Sequence, residues 1–388
     1  MHPTAVISAR GARRWQGGHP WVFRSDVMQP PDSPPGAVAV RDPQGRALGW
    51  ALWSPASEIS LRLLDSDPEA RIGEAWWHER IAHAIARREP LAEHANAFRL
   101  VHGEGDGLPS LVADRFDRWI VVQLLSAGLE AFREEIVEAI RSLTGAEGIL
   151  ARNDASVRAR EGLARVVEPL WGEVPHEVEV REHGVRYLAA PHTGQKTGAF
   201  LDQRENRVLA GSVAKGSALD LFSYHGSFAL HLARKASDVT AVDSSAEALE
   251  RASENVVLNG FTNVSLVQAD AFDFLREREK AGTRYGTIVL DPPAFAKNKA
   301  SLEGAVRGYR DINLHAMRLL ETGGLLYTAS CSYHVSKALF LEMLQDAAGA
   351  AGRRMVLRAL TAQPLDHPEV ITIPETGYLK GALLEAAD

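Results

Sequence analysis

The sequence predicts an α/β protein that ends in a doubly wound, mostly parallel sheet. From about residue 181 onward, apolar runs alternate with segments of helical length, which is typical of parallel strands joined by right-handed crossovers. These runs are Ala218 to Phe222, Val239 to Val242, Val264 to Val267, Thr287 to Leu290 and Leu325 to Thr328. Two more strand-like runs, Met355 to Leu360 and Gly377 to Leu384, follow without a long helix between them. We therefore expect an antiparallel hairpin at the far edge of the sheet.

The residues before this sheet predict two further domains. Over residues 1–70 no helical periodicity is found, and short strand-like runs alternate with turns rich in Pro, Gly and Asp. The runs are Ala37 to Val40, Ala47 to Trp53 and Ile59 to Leu64. They predict a small β-barrel domain. Residues 72–180 mix helical and strand-like segments and predict an α+β domain, which leaves residues 181–388 for the doubly wound domain.

The composition is that of a globular protein of a reducing compartment. Of the 388 residues 45% are apolar, and no apolar run approaches the roughly 20 residues needed to cross a bilayer. The first residues lack the apolar core of a signal peptide, and a single cysteine excludes an internal disulfide. We therefore predict a cytoplasmic protein without a membrane partner and without a bound metal. A homodimer is left open.

Three successive strand ends carry groups that suit a nucleoside cofactor. The first strand leads into a turn with Gly226, where the absence of a side chain lets the backbone approach a ligand. The second strand ends at Asp243, which could bond both ribose hydroxyls, and the third at Asp270, which could accept from an adenine amino group. The candidate contacts are Phe222, Ser223, Tyr224, Gly226, Ser227, Phe228, Asp243, Ser244, Asp270 and Ala271.

The first turn disfavours a dinucleotide. Phe222 and Tyr224 occupy places where the Gly-x-Gly-x-x-Gly pattern of pyrophosphate binders needs glycine. A cofactor without phosphates fits better, and we predict S-adenosylmethionine (AdoMet). Upstream, a polar turn could fold over this cofactor with Lys196 and Gln203 as contacts, and the alternative is a helix start capped by Asp202.

Two further strand ends carry reactive side chains. Asp291 follows the fourth strand in Asp291-Pro-Pro-Ala-Phe295, where Pro292 stiffens the loop and is a candidate cofactor contact, and Cys331 follows the fifth strand. Ligands of doubly wound sheets bind at the carboxyl ends of the strands, so both side chains should face one crevice. Carbon 5 of cytosine becomes nucleophilic when a thiolate adds to carbon 6, which suits Cys331, while Asp291 suits proton sharing with N3. The alternative for Cys331 is a small buried hydrophobic residue.

Local positive charge supports a nucleic-acid partner despite a net charge of −7. The first 25 residues carry four arginines and no acidic residue, and phosphate attraction acts locally, over about 10 Å at moderate salt. The candidate RNA contacts are Arg10, Arg13, Arg14 and Arg24 together with Lys297 and Arg310 near the Asp291 loop. Solvated surface residues are the alternative for both groups.

The ordered motifs resemble those of the bacterial large-subunit ribosomal-RNA cytosine-C5 methyltransferases that carry an N-terminal PUA domain. Gly18-His-Pro-Trp-Val-Phe23 resembles the opening of the PUA domain, and Val101 to Pro109 is similar to the family's central α+β domain. The stretches similar to its methyltransferase domain are Gln195 to Arg204, Phe222 to Phe228, Asp291 to Phe295 and Ser330 to Ser332. The resemblance covers nearly the whole chain.

This resemblance implies a class I methyltransferase fold, AdoMet as methyl donor, ribosomal RNA of the large subunit (23S) as partner, Cys331 as nucleophile and Asp291 in the base-binding motif. Two alternatives stay open. The first is an AdoMet-dependent enzyme that acts on guanine N7 or on an exocyclic amine, which needs no thiol. The second is a catalytically inert RNA-binding protein. The group that removes the carbon 5 proton is unassigned.

Overall fold

The structure is a computed structural model that describes residues 2–295 and 301–388. The chain divides into two compact units. The first unit comprises Met1–Glu182, Ala189–Leu201 and Leu365–Thr376, and the second unit comprises His183–Leu188, Asp202–Pro364 and Gly377–Asp388. The three domains expected from the sequence stay a prediction. Lys297, a candidate RNA contact, lies outside the described residues.

The first unit opens with a six-stranded sheet in the order β2-β6-β5-β4-β1-β3. Its elements are β1 Thr4–Ile7, α1 Ala9–Gln16, β2 Trp21–Phe23, β3 Val27–Gln29, β4 Gly36–Arg41, β5 Ala47–Trp53 and β6 Ile59–Asp65. Neighbouring strands are antiparallel except for β1 and β4, which are parallel. The three strand-like runs in the first 70 residues are thereby confirmed as β4, β5 and β6.

Helix α1 is an element that the sequence patterns over residues 1–70 did not indicate. The Ser8 hydroxyl caps it by accepting a first-turn amide hydrogen bond at 3.1 Å. Its inner face includes Ala12 and Trp15, whose indole N–H donates to a carbonyl of β5 at 3.0 Å. A buried face this short makes no repeating pattern, because the helix has eight residues and ends after two turns.

A second sheet in the first unit has the order β11-β10-β9-β8-β7. The elements of this part are α2 Glu74–Ala86, β7 Ala97–His102, β8 Leu111–Phe116, β9 Trp119–Leu124, α3 Ala127–Glu130, α4 Arg133–Thr144, β10 Gly148–Asn153, α5 Val157–Arg160 and β11 Val166–Gly172. Its core continues into the first sheet, because Trp50 and Leu64 belong to the same buried cluster as Trp77. A buried ion pair between Arg62 and Glu161, at 2.8 Å, joins the same two parts.

Residues 365–376, although late in the chain, belong to the first unit. The buried Asp366 carboxylate accepts the Arg99 backbone N–H at 2.8 Å, and its backbone carbonyl accepts from the Arg88 guanidinium at 2.9 Å. Arg88 also forms a bidentate pair with Asp106, at 2.7 and 2.8 Å. These buried, charge-assisted bonds explain why this segment packs with the first unit. Two short strands, β12 Val178–Glu182 and β13 Val185–Ala189, lie where the chain first passes between the units.

The second unit is built around a seven-stranded sheet in the order β16-β15-β14-β17-β18-β20-β19. Its remaining elements are α6 Arg204–Val213, β14 Ser217–Leu221, α7 Ser227–Ala233, β15 Asp238–Asp243, α8 Ala246–Leu258, β16 Val264–Gln268, α9 Ala271–Lys280, β17 Tyr285–Leu290, α10 Leu302–Arg318, β18 Leu320–Ser330, α11 Lys337–Ala351, β19 Met355–Thr361 and β20 Lys380–Ala386. Strands β14 to β18 pair in parallel, and β20 pairs antiparallel with β18 and β19. The predicted doubly wound sheet and its antiparallel edge hairpin are confirmed.

Strand β17 lies at the centre of this sheet, and all six of its residues are buried. It pairs with β14 on one side and β18 on the other. Such continuous burial explains why its sequence is an uninterrupted apolar run rather than an alternating one. Among the described residues, no helix is both long enough and apolar enough to cross a membrane.

Replacing Gly286 in β17 by alanine should destabilise the second unit. A Cβ there would lie 2.4 Å from the Lys215 carbonyl oxygen, which accepts a hydrogen bond from Thr287 Oγ1 and cannot easily move. We expect Gly286→Ala to cost about 1–3 kcal/mol, measured by thermal and urea unfolding. Gly349→Ala is the matched control, since nothing lies within 4 Å of its Cβ and alanine favours the interior of α11. Equal stability of the two variants would contradict the packing argument.

Candidate active site

Four candidate side chains lie at one edge of the parallel sheet. Asp243 ends β15, Asp270 follows β16, Asp291 follows β17, and Cys331 follows β18. Because these strands are parallel, their carboxyl ends meet at the same edge, as expected from the sequence. The sheet order also reverses between β14 and β17, which is where doubly wound sheets open a crevice.

The loop after β14 has a strained backbone. Phe222 has a φ of 63° and Tyr224 one of 48°, in the left-handed region that bulky residues avoid, and Gly226 follows with 84°. Neighbouring strands and helices hold this conformation. The Ser223 N–H donates to the Val242 carbonyl at 3.0 Å, and the Gly226 N–H donates back to the Ser223 carbonyl at 2.8 Å. Strain that is held in place in this way is typical of a ligand-binding loop.

Asp243 connects this loop to the second strand end. One carboxylate oxygen accepts the Tyr224 N–H at 2.8 Å, and the other accepts the Ser245 N–H at 2.9 Å. The carboxylate is partly exposed, and its neighbour Ser244 is exposed. The carboxylate oxygens therefore hold the loop and retain lone pairs for a ligand.

Asp270 caps a helix as well as marking a strand end. Its Oδ1 accepts the N–H groups of Phe272 and Asp273 at 2.9 and 3.1 Å, so it starts α9, whose first residue Ala271 is buried. The side chain is exposed at the sheet edge, where its second oxygen suits the predicted adenine contact. Helix capping alone also accounts for an aspartate at this position.

Aromatic rings line the same edge. Phe295 lies 6.4 Å from Phe222, 6.2 Å from Phe272 and 4.6 Å from Tyr309, measured between ring centroids. Apart from Tyr309 these rings are only partly buried, so their faces suit a flat heterocycle. Phe228, another candidate, lies in the hydrophobic core and stacks on a strand residue, and Ser227 beside it is also buried.

Asp291 is held by a residue that precedes the sheet. Gln203 donates through Nε2 to Asp291 Oδ1 at 2.7 Å, and its own Oε1 accepts from Asn206 at 2.6 Å. This chain fixes the orientation of the amide, so the nitrogen faces the carboxylate. The sequence predicts Gln203 as a cofactor contact, and in the structure its amide bonds to Asp291. Pro292, next in the loop, is buried.

Cys331 carries a partly buried thiol and lies between two buried serines. The carbonyl of Ser332 accepts from the Lys380 ammonium at 2.6 Å, and its hydroxyl lies 2.9 Å from that of Tyr309. Burial raises the pKa of Tyr309, and its hydrogen bonds to Ser330 and Ser332 lower it in part. Sequence reasoning missed Asn206, Tyr309 and Lys380. No local motif marks them, since each acts through a contact distant in the chain.

The other candidate residues make the following contacts. Lys196 belongs to the first unit, where its ammonium lies 4.7 Å from the centre of the Phe200 ring. In the first unit Arg10 pairs with Asp26 at 2.8 Å, and Arg24 lies 3.8 Å from Glu58. Arg14 packs over the Phe23 ring at 4.8 Å, and Arg13 is exposed. Arg310, on α10, is partly exposed. The RNA contacts stay a prediction for these residues.

The residues at the sheet edge fit AdoMet. Asp243 would supply a carboxylate for ribose hydroxyls, Phe222 and Phe272 would supply apolar faces for adenine, and the buried Ser223 hydroxyl has no partner among residues 2–295 and 301–388. A buried hydroxyl without a protein partner beside a strained loop is typical of a ligand-binding site. The described residues contain no cluster of three or more His, Cys, Asp or Glu side chains that could hold a metal ion.

The sheet order and the strand-end loops define a class I methyltransferase fold. A profile of the S-adenosylmethionine-dependent methyltransferase family matches residues 98–380, and a PUA-like domain profile matches residues 6–66. The chain belongs to this methyltransferase family and uses AdoMet, as the sequence predicted. The PUA-like domain expected at the N-terminus is confirmed.

Relatives and solved structures agree with this assignment. The Klebsiella pneumoniae (strain 342) protein named Ribosomal RNA large subunit methyltransferase I is 40% identical over 390 residues and covers 98% of both chains. The Escherichia coli (strain K12) protein of the same name is 39% identical over 372 residues and covers 94% of both. A SAM-dependent methyltransferase structure from Streptococcus mutans has a TM-score of 0.83 at 20% identity, covering 99% of this chain and 100% of its own. A methyltransferase structure complexed with SAH has a TM-score of 0.85 at 21% identity, with the same coverage.

Asp243→Asn should weaken AdoMet binding. The change removes the charge that strengthens hydrogen bonds to the ribose and to the Tyr224 amide, so the Kd should rise about tenfold or more by titration calorimetry. Asp238→Asn is the matched control, because Asp238 lies at the opposite end of β15 and bonds Ser217 and Ser237. If both variants bound AdoMet like the wild type, Asp243 would not belong to the cofactor site.

Asp220→Asn should stabilise the protein increasingly as the pH rises above about 4. Burial, with the charges of Asp291 and Asp243 adding to it, holds the pKa of Asp220 well above its usual 3.8. Above pH 3.8 the unfolded carboxyl ionises while the folded one stays protonated, which favours unfolding in the wild type alone. Melting temperatures of both proteins, measured without ligand from pH 3.5 to 7, test this. If the difference in melting temperature between Asp220→Asn and the wild type did not widen with pH, the pKa of Asp220 would not be raised.

Proposed function

We propose that this AdoMet-dependent methyltransferase acts on large-subunit ribosomal RNA and forms 5-methylcytidine through a covalent adduct of Cys331. The substrate class is supported by the two relatives named Ribosomal RNA large subunit methyltransferase I and by the PUA-like domain. A ribosomal RNA substrate would also place the enzyme in the cytoplasm. The position of the nucleophile carries the cytosine assignment.

That position is fixed by the parallel pairing of β17 and β18. Leu290 pairs with Thr328, so Asp291 follows one residue beyond the paired region and Cys331 three residues beyond it. An acid and the chain's sole thiol therefore leave neighbouring strands at the edge where ligands bind. A purine N7 or an amine needs no thiol for methylation, whereas carbon 5 of cytosine does.

The proposed reaction begins when the Cys331 thiolate forms a bond from Sγ to carbon 6 of the base. The electron pair of the 5,6 double bond moves to form a double bond between carbons 4 and 5, the pair of the C4–N3 double bond moves onto N3, and N3 takes the proton that it shares with Asp291. Bound AdoMet would supply an electrophilic methyl group, with S-adenosylhomocysteine as the leaving group that keeps the electron pair of the broken carbon–sulfur bond. Carbon 5 takes this methyl group, then loses its proton to a base, and the electron pair of that C–H bond expels Sγ and restores the double bond.

Asp291 is held for this task by Gln203. The amide N–H donates at 2.7 Å to Oδ1, which keeps the carboxylate group oriented at the strand end while Asn206 holds the amide. Aspartate can also accept a hydrogen bond from the N4 amino group of cytosine, so the same residue contributes to recognition of the base. The aromatic rings of Phe222 and Phe295 provide apolar surface nearby.

Cys331→Ala should abolish methyl transfer and leave AdoMet binding unchanged. Loss of the attacking thiolate should lower kcat by more than about a thousandfold, because no other group can activate carbon 5. The assay follows labelled methyl transfer to ribosomal RNA from a strain lacking the homologous gene, with nucleoside mass spectrometry of the product. RNA containing 5-fluorocytidine should trap the wild-type protein covalently, because fluorine at carbon 5 cannot leave as a proton does.

Other outcomes of this experiment separate the competing functions. A methylguanosine or N-methyl product, formed equally by Cys331→Ala, would overturn the cytosine assignment and keep the fold and cofactor. AdoMet binding without any transfer to RNA, by wild type and variant alike, would indicate an inert RNA-binding protein.

A further inference from the structure

The two loops that carry Asp291 and Cys331 need a connection beyond the sheet. The last paired residues of β17 and β18 are Leu290 and Thr328, so the backbone ladder ends before either side chain. A thiolate that attacks one atom while an acid shares a proton with another must be held at a fixed distance from it, because small misplacements cost large factors in rate.

The Tyr309 hydroxyl contacts both loops. It lies 2.9 Å from the Ser332 hydroxyl, directly after Cys331. On the other side it lies 3.4 Å from the Pro293 carbonyl oxygen and 3.4 Å from the Phe295 amide nitrogen, within the loop that starts at Asp291. Tyr309 comes from α10, and its side chain is 1% exposed. One buried hydroxyl therefore joins the loop of the acid to the loop of the thiol.

Only a group that both donates and accepts can make these contacts. The Pro293 carbonyl can only accept, and the Phe295 amide can only donate. A hydroxyl has one hydrogen and two lone pairs, so it serves both and the Ser332 hydroxyl as well. A phenylalanine at position 309 would keep the packing against the Phe295 ring and lose every one of these bonds.

Ser332 is also anchored on its other side. Its backbone carbonyl accepts from the Lys380 ammonium at 2.6 Å, and Lys380 is 4% exposed. This second anchor holds the backbone after Cys331 when the bond to Tyr309 is removed. Loss of the Tyr309 hydroxyl should therefore loosen the link between the loops without unfolding either.

We propose that Tyr309 is a positioning residue for methyl transfer: its hydroxyl holds the Asp291 loop and the Cys331 loop in one fixed arrangement, acting through Ser332. The inference rests on the proposed function of Cys331 and deepens it. Tyr309 forms no bond to the base and transfers no proton in this mechanism, and its contribution is to geometry.

A double-mutant cycle tests this proposal. Tyr309→Phe and Ser332→Ala should each lower kcat about tenfold while leaving the Kd for AdoMet unchanged. Tyr309→Phe removes every contact of the hydroxyl, including the one that Ser332→Ala removes, so the double variant should be no slower than Tyr309→Phe alone. If the decreases in kcat of the two single variants multiplied in the double variant, the proposal would be overturned. An unchanged kcat in Tyr309→Phe would overturn it as well.

Tyr327→Phe is the matched control. Tyr327 is also buried and belongs to β18. Its hydroxyl lies 3.3 Å from Thr361 Oγ1, and Thr361 belongs to neither of the two loops. Removal of this hydroxyl breaks none of the hydrogen bonds from Tyr309 to the Asp291 loop or the Cys331 loop and should leave kcat within about twofold of the wild type. A loss as large as that of Tyr309→Phe would show a general effect of buried tyrosine hydroxyls and would overturn the positioning role.

Alkylation of the thiol gives a readout that does not depend on the RNA product. The chain has one cysteine, so iodoacetamide incorporation reports Cys331 alone. Tyr309→Phe and Ser332→Ala should each accelerate alkylation about threefold, and the double variant should react no faster. Unchanged alkylation in both would overturn the proposal. If Cys331→Ala kept normal turnover, the covalent mechanism would be wrong. The alkylation rates would still decide whether Tyr309 holds the Cys331 loop.

Discussion

The parallel pairing of β17 with β14 and β18 is the constraint on which the site depends. All six residues of β17 are buried, so its register cannot slip without moving apolar side chains out of the core. That register fixes where each neighbouring strand ends, and the strand ends determine which side chains meet. The hydrophobic core thereby determines where Asp291 and Cys331 leave the sheet.

The loop after β14 shows the converse case, in which polar contacts hold the backbone against its preference. Positive φ angles at Phe222 and Tyr224 cost conformational energy that each residue would avoid alone. The Asp243 carboxylate and the carbonyl of Val242 offset that cost by binding the loop amides. Asp243 therefore couples two strand ends, and cofactor binding at either would be sensitive to the other.

The sequence predicts the sheet and its strand ends well because both depend on local signals. Apolar runs of strand length, interrupted by Gly226 or by Asp291 and its prolines, mark elements and turns within a few residues. Lys380 illustrates what such signals cannot supply. A lysine at the start of a strand indicates an exposed position, yet here it is buried because its ammonium reaches the Ser332 carbonyl, 48 residues earlier in the chain. The helix Ala9–Gln16 was missed for the opposite reason, since its pattern is local but too short to repeat.

The path of the chain between the two compact units limits how this protein can be divided. The chain passes from one unit to the other at residues 182–183, 188–189, 201–202, 364–365 and 376–377. No single cut therefore yields either unit as a continuous polypeptide, and a truncation after residue 364 removes β20 together with the segment that Arg88 and Arg99 hold. A nascent chain therefore cannot complete the first unit before Thr376 has been synthesised, nor the second unit before Gly377–Asp388 has been synthesised. Deletion of the N-terminal sheet is therefore a poor test of the function of the remaining chain. Point substitutions in the full-length chain are the better genetic tool.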